Sequence, residues 1–92
     1  MKLLFGRKRR SAPLLRLYTR TGCGLCQEVE AALAPRVRRG EFRLEKVDLD
    51  QDAAARALYA DCIPVLEHAG RALAKGRFDT AEALARLARR IG

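Results

Sequence analysis

Cys23 and Cys26 are separated by two residues at a change of sequence pattern, and this arrangement constrains the fold more than any other feature. The short apolar run at residues 14–19 predicts a β-strand, and residues 20–22 predict a turn. From Cys23 onward, apolar residues recur every three or four positions up to Leu33, which predicts an α-helix. The unpaired N–H groups and the dipole at a helix N-terminus would stabilise a thiolate on Cys23. The thiolate is the species that attacks disulfides.

The rest of the chain predicts a regular alternation of strands and helices. Pro35 is expected to end or kink the first helix, because proline lacks an N–H and clashes with the preceding turn. A strand at 42–48 follows, and then a helix that is capped by Asp50 or Asp52 and carries Ala54, Leu58 and Tyr59. Strands at 63–67 and 71–75 are joined by a turn at Ala69-Gly70. The last helix is capped by Asp79, and its apolar face consists of Leu84, Leu87, Ala88 and Ile91. This order predicts an α/β fold in which a parallel βαβ unit is followed by an antiparallel hairpin. We therefore expect a four-stranded mixed sheet, in the order β-α-β-α-β-β-α, flanked by helices.

The charge distribution predicts a tail and a domain. The chain has a net charge of +8, and five of its cationic residues, Lys2, Arg7, Lys8, Arg9 and Arg10, precede Ser11. Residues 1–12 are interpreted as a basic, mobile tail and residues 13–92 as the domain, since terminal charge runs are usually solvated. No nucleic-acid-reading motif accompanies the charge. No membrane-spanning run or secretory signal is recognised, so a cytoplasmic monomer is expected.

The motifs resemble those of the small bacterial glutaredoxin-like proteins, from about residue 14 to the end of the chain. The segments that carry the resemblance are Leu17-Tyr18-Thr19-Arg20-Thr21-Gly22-Cys23-Gly24-Leu25-Cys26, Val47-Asp48-Leu49-Asp50, and Tyr59 followed by Ile63-Pro64-Val65-Leu66. The resemblance implies the thioredoxin fold, with Cys23 as nucleophile and Cys26 as the resolving thiol. It also implies a cis Ile63-Pro64 bond facing Cys23. The residues that would contact glutathione by the same resemblance are Arg20, Ile63, Asp79 and Thr80.

The function expected from these features is thiol–disulfide exchange between the Cys23–Cys26 pair and glutathione mixed disulfides or protein disulfides. No bound cofactor is expected, and glutathione is a candidate co-substrate. The partners would be a disulfide-containing protein or a glutathione mixed disulfide, and a reductase.

Two alternatives stay open from the sequence. Cys23, Cys26, Cys62 and His68 have the chemical types of a zinc site, and Cys23 could hold an iron–sulfur cluster together with glutathione. The other alternative is a binding module without enzymatic activity. Cys62 is otherwise expected to be a partly buried loop residue, and His68 a surface residue at the end of the hairpin. Tyr18 and Tyr59 are expected to pack against the sheet.

Overall fold

A computed structural model describes residues 12–91 of the chain, and these form one mixed sheet with helices on both faces. The elements in chain order are β1 (Leu14–Thr19), α1 (Gly24–Arg38), β2 (Arg43–Asp48), a 3₁₀ turn (Leu49–Gln51), α2 (Ala53–Tyr59), β3 (Val65–His68), β4 (Arg71–Lys75) and α3 (Thr80–Ile91). The strands lie in the order β2-β1-β3-β4, with β1 parallel to β2 and the other pairs antiparallel. The predicted fold class and element order are confirmed.

The larger core lies on the face of the sheet that α1 and α3 cover. Alternate residues of β1, Leu15 and Leu17, point to this face and are fully buried, as the twofold repeat of a strand requires. Their helical partners repeat at the spacing of one turn: Val29 and Leu33 on α1, and Ala83, Leu84 and Leu87 on α3. The α1–β1–α3 layer thereby anchors the beginning of α1, where the cysteines lie.

The opposite face of the sheet is covered by α2. Tyr18 of β1, Val65 of β3 and Leu49 of the 3₁₀ turn pack there with Ala55 and Tyr59 of α2. This cluster connects the end of β1 to the segment that precedes β3.

Several local expectations differ from the structure. The first helix does not end at Pro35 but continues to Arg38, because one missing N–H does not outweigh the packing of α1 on the sheet. The third strand begins at Val65 instead of residue 63. The prediction that Asp50 or Asp52 caps α2 is confirmed for Asp52, whose Oδ1 accepts a hydrogen bond from the Ala55 N–H at 2.9 Å. On α2, Tyr59 is buried but Leu58 is 70% exposed.

The two chain ends add two further differences. On α3, Leu84 and Leu87 are buried while Ala88 and Ile91 are exposed. Ala12, which the sequence assigns to the tail, is buried, and its carbonyl accepts a hydrogen bond from Arg43 Nε. The proposed tail otherwise lies outside the described residues.

Candidate active site

Four loops meet at one edge of the sheet, and they contain the residues that the sequence singles out. In the strand register, Thr19 pairs with Asp48, Tyr18 with Val65, and Val65 with Lys75. The carboxyl ends of β1, β2 and β4 therefore lie at the same edge as the amino end of β3. The loops that leave this edge are residues 20–23, 49–52, 60–64 and 76–79.

The cysteine pair lies where β1 gives way to α1. Cys23 is the N-cap of α1, and Cys23 and Cys26 form a disulfide with their Cα atoms 5.2 Å apart. The Cys23 Sγ accepts a hydrogen bond from the Cys26 N–H at 3.1 Å, which is one of the N–H groups left unpaired at a helix start. Gly22, with a φ of +86°, supplies the left-handed conformation that the preceding turn requires.

The two cysteines differ in accessibility. Cys26 is 3% exposed, whereas Cys23 is only half-buried. The Cys23 N–H donates to the Arg20 carbonyl at 3.2 Å, so the turn holds Cys23 at the outer end of the helix. Cys23 is therefore the more accessible of the two residues, and the roles of Cys23 as nucleophile and Cys26 as resolving thiol stay predictions.

A cavity of about 310 Å³ lies beside the disulfide on the side of β2. Its lining residues are Thr19, Arg20, Thr21, Gly22, Cys23, Cys26, Gln27, Glu30, Lys46 and Asp48. Of the predicted glutathione contacts, only Arg20 lines this cavity. The Arg20 side chain is paired with Asp50, with Nε 3.2 Å from Oδ1. No local sequence pattern pairs Arg20 with Asp50, which the sequence presents only as one of two candidate caps of the second helix.

The Ile63-Pro64 segment lies at the amino end of β3. The peptide bond between these residues is cis, Pro64 is buried, and Ile63 is half-buried against the α2 cluster. The N–H of Gly76 donates to the carbonyls of Cys62 and Pro64, at 2.9 and 2.8 Å. These two bonds join the Cys62–Pro64 segment to the loop after β4, and the role of Ile63 and Pro64 in binding substrate stays a prediction.

Asp79 and Thr80 begin α3 at the same edge of the sheet. The Oδ1 of Asp79 accepts hydrogen bonds from the N–H groups of Ala81 and Glu82, at 2.8 and 3.3 Å. Asp79 thus caps the helix, as the sequence predicts. The cap occupies one oxygen of Asp79, and contact of Asp79 or Thr80 with glutathione stays a prediction.

A buried carboxyl group joins β1, β3 and α2 on the α2 face of the sheet, and sequence reasoning missed it. Glu67 of β3 is 7% exposed, and its two oxygens accept hydrogen bonds from the hydroxyls of Tyr18 and Tyr59, each at 3.0 Å. Burial, followed by the hydrogen bond to Glu67, raises the pKa of Tyr59 to about 12, and the same causes raise the pKa of Tyr18. The signal in the sequence is a glutamate within an otherwise buried strand, where a carboxyl group requires partners.

Cys62 and His68 are not brought to the cysteine pair as a metal site. Among residues 12–91, no three histidine, cysteine, aspartate or glutamate side chains are grouped where they could hold a metal ion. Cys62 is a free, half-buried thiol packed against the α2 cluster, as expected, and His68 is half-buried at the end of β3. Within the same residues, no helix has the length and apolar character needed to cross a membrane.

The mixed sheet defines a thioredoxin-like fold, and the cysteine pair at the start of α1 fits a thiol redox role. The model of the Glutaredoxin-like domain (DUF836) family matches residues 14–88, and the chain belongs to this family. The resemblance noted in the sequence is thereby confirmed.

Solved structures show the same fold. A protein of Nitrosomonas europaea, determined by solution NMR, is 29% identical with a TM-score of 0.70, and the match covers 83% of this chain and 92% of that one. A protein of X. campestris, determined by X-ray methods, is 33% identical with a TM-score of 0.67, covering 82% and 96%. A malarial protein shares the fold at 17% identity and a TM-score of 0.60, covering 87% and 97%. The comparison with curated proteins finds no match.

Proposed function

We propose that this protein is a thiol–disulfide oxidoreductase that exchanges its Cys23–Cys26 dithiol with a disulfide substrate. The observation that supports this most directly is the disulfide at the N-terminus of α1, with Cys23 accessible and Cys26 buried. The family assignment supports the same role.

The reaction begins with the reduced protein and moves two electrons to the substrate. The Cys23 thiolate attacks one sulfur of the substrate disulfide, forms a mixed disulfide and releases the other half as a thiolate. The Cys26 thiol then loses its proton and attacks the Cys23 sulfur. This step releases the second substrate thiol and forms the Cys23–Cys26 disulfide, and a thiol reductant must then restore the dithiol.

The N-terminus of α1 assists the attacking sulfur. The Cys26 N–H already donates to the Cys23 Sγ, and a hydrogen bond to a thiolate is stronger than one to a neutral sulfur. The positive end of the helix dipole acts in the same direction. Both effects stabilise the thiolate form of Cys23, which is the form that attacks the substrate disulfide.

The substrates that we propose are glutathione mixed disulfides and protein disulfides, with glutathione or a protein reductase as the reductant. Residues proposed to receive the substrate are Arg20, Ile63, Pro64, Asp79 and Thr80, which lie in three loops at one edge of the sheet and at the first residue of α3. The odd number of cysteines supports redox use over a structural disulfide framework, and we propose a reducing, cytoplasmic location on that ground.

Single-cysteine variants test the proposal. The reduced protein is mixed with the glutathione mixed disulfide of a peptide, or with insulin, and release of the substrate thiol is followed. Cys23→Ser should abolish exchange, because the accessible nucleophile is lost. Cys26→Ser should still complete the first step and accumulate a mixed disulfide on Cys23, visible as a mass increase.

Cys62→Ser is the matched control, since Cys62 is the free thiol outside the pair. It should exchange within about twofold of the wild-type rate. Exchange by Cys23→Ser at the wild-type rate would refute the proposed role of Cys23, and dependence on Cys62 would assign the chemistry to another pair.

A further inference from the structure

The charged residues at the cavity beside the cysteine pair have a net charge opposite in sign to that of the whole chain. Its charged lining residues are Arg20, Lys46, Glu30 and Asp48. Asp50 adjoins them, because its carboxylate pairs with Arg20 and its N–H donates to Asp48 Oδ1 at 2.8 Å. These five residues comprise two cations and three anions, a net charge of −1 in a protein whose net charge is +8.

Both cations of this group are engaged by a neighbouring carboxylate. Lys46 Nζ lies 3.3 Å from both oxygens of Glu30, which joins β2 to α1 across the cavity. Arg20 Nε lies 3.2 Å from Asp50 Oδ1. An anionic substrate entering the cavity would therefore have to compete with Glu30 and Asp50 for these cations.

Arg20 is the cation closest in sequence to the nucleophile, and its backbone position is fixed. Its carbonyl accepts the hydrogen bond of the Cys23 N–H, so the Arg20 side chain starts from the turn that presents Cys23. The Arg20 and Asp50 side chains are 38% and 50% exposed. A pair this exposed interacts weakly, so Asp50 can weaken the attraction of Arg20 for an anion without abolishing it.

We propose that Asp50 is a specificity-determining residue that lowers the preference of the site for anionic disulfides relative to cationic ones. By pairing with Arg20, the Asp50 carboxylate leaves a local excess of negative charge beside Cys23. A glutathione disulfide, which carries net negative charge, is disfavoured there, and a disulfide flanked by basic groups is favoured. This inference rests on the proposed exchange function and identifies the substrate charge that the same site prefers.

Three small disulfides of different charge test the inference on the full reduced protein at neutral pH. The probes are oxidised glutathione as the anion, 2-hydroxyethyl disulfide as the neutral compound and cystamine as the cation. The quantity compared is the ratio of the second-order rate constants for oxidised glutathione and cystamine. A change in the thiolate fraction of Cys23 affects both rate constants equally and cancels in this ratio.

Asp50→Asn should raise this ratio about threefold or more at low ionic strength, with the neutral probe between the two charged ones. The matched control is Glu45→Gln, which removes one negative charge from an exposed ion pair with Arg16, away from the cavity lining. The control should leave the ratio within about 1.5-fold. The effect of Asp50→Asn should shrink in 1 M salt, where the screening length falls to about 3 Å.

The outcomes separate this inference from the function on which it rests. The role of Asp50 is overturned if Asp50→Asn leaves the ratio of the two rate constants unchanged, or if Glu45→Gln changes that ratio equally. Either result leaves the exchange function standing. Absence of exchange by the wild-type protein with all three probes overturns the proposed function and this inference with it.

Discussion

Replacing Tyr59 by phenylalanine tests the buried hydrogen-bond cluster that joins α2 to the sheet. The change removes only the hydroxyl that donates to Glu67 Oε2 at 3.0 Å. At pH 7 the variant should lose about 1.5–3 kcal/mol of unfolding free energy, because a buried carboxyl oxygen loses its donor. Ring packing against Tyr18, at a centroid distance of 4.9 Å, should persist.

The pH dependence gives this prediction a second, independent measurement. Because the pKa of Tyr59 rises from 10.0 in the unfolded chain to about 12 in the fold, the unfolded state releases its proton first as pH rises. The stability tied to this group is fully present below pH 10 and is lost as pH rises through 12. At pH 11 the wild-type protein should have lost about 1.4 kcal/mol from this group, and Tyr59→Phe has no such loss.

The assay measures the unfolding free energy of wild type and of Tyr59→Phe by denaturant at pH 7 and at pH 11. The result is the difference in unfolding free energy between the two proteins at each pH. The difference in unfolding free energy between wild type and Tyr59→Phe should narrow by about 1.4 kcal/mol at the higher pH. Val65→Ala is the control, since it removes packing from the same cluster without a titrating group, and its gap to wild type should stay constant. An equal Tyr59→Phe gap at both pH values would refute the argument that burial and Glu67 hold the Tyr59 proton.

Two further predictions concern stability away from the cysteines. Asp52→Ala should lower the unfolding free energy by about 1 kcal/mol, because the Ala55 N–H loses its cap. The control is Asp61→Ala at an exposed position, which should change the unfolding free energy little when both variants are measured by urea unfolding. Leu33→Ala should cost about 2–5 kcal/mol, because Leu33 is fully buried between α1 and the sheet, and a loss under 1 kcal/mol would contradict its place in the core. The 70% exposed Leu58→Ala is its control and should stay within about 0.5 kcal/mol of wild type in the same measurement.

Local sequence determined the element order and the position of the cysteine pair. The period of apolar residues along α1, the Asp79 cap of α3 and the turn at Gly22 depend on interactions within a few residues, so they can be identified without a fold. Two element boundaries were not predicted from local sequence. The packing of α1 lets the helix continue beyond Pro35, and pairing in the sheet begins β3 at Val65.

The site partners were decided by the tertiary structure. Arg20 and Asp50 are 30 positions apart, and Tyr18 and Glu67 are 49 apart, so no local pattern pairs them. They meet because β1 lies between β2 and β3. This order brings the loops after β1 and β2 to one edge of the sheet, and it places Tyr18 and Glu67 on neighbouring strands. The sequence by itself determined that Cys23 and Cys26 lie at the start of a helix. Only the packed fold decided which charges surround them, because most of those charges come from elements that are adjacent in space and distant along the chain.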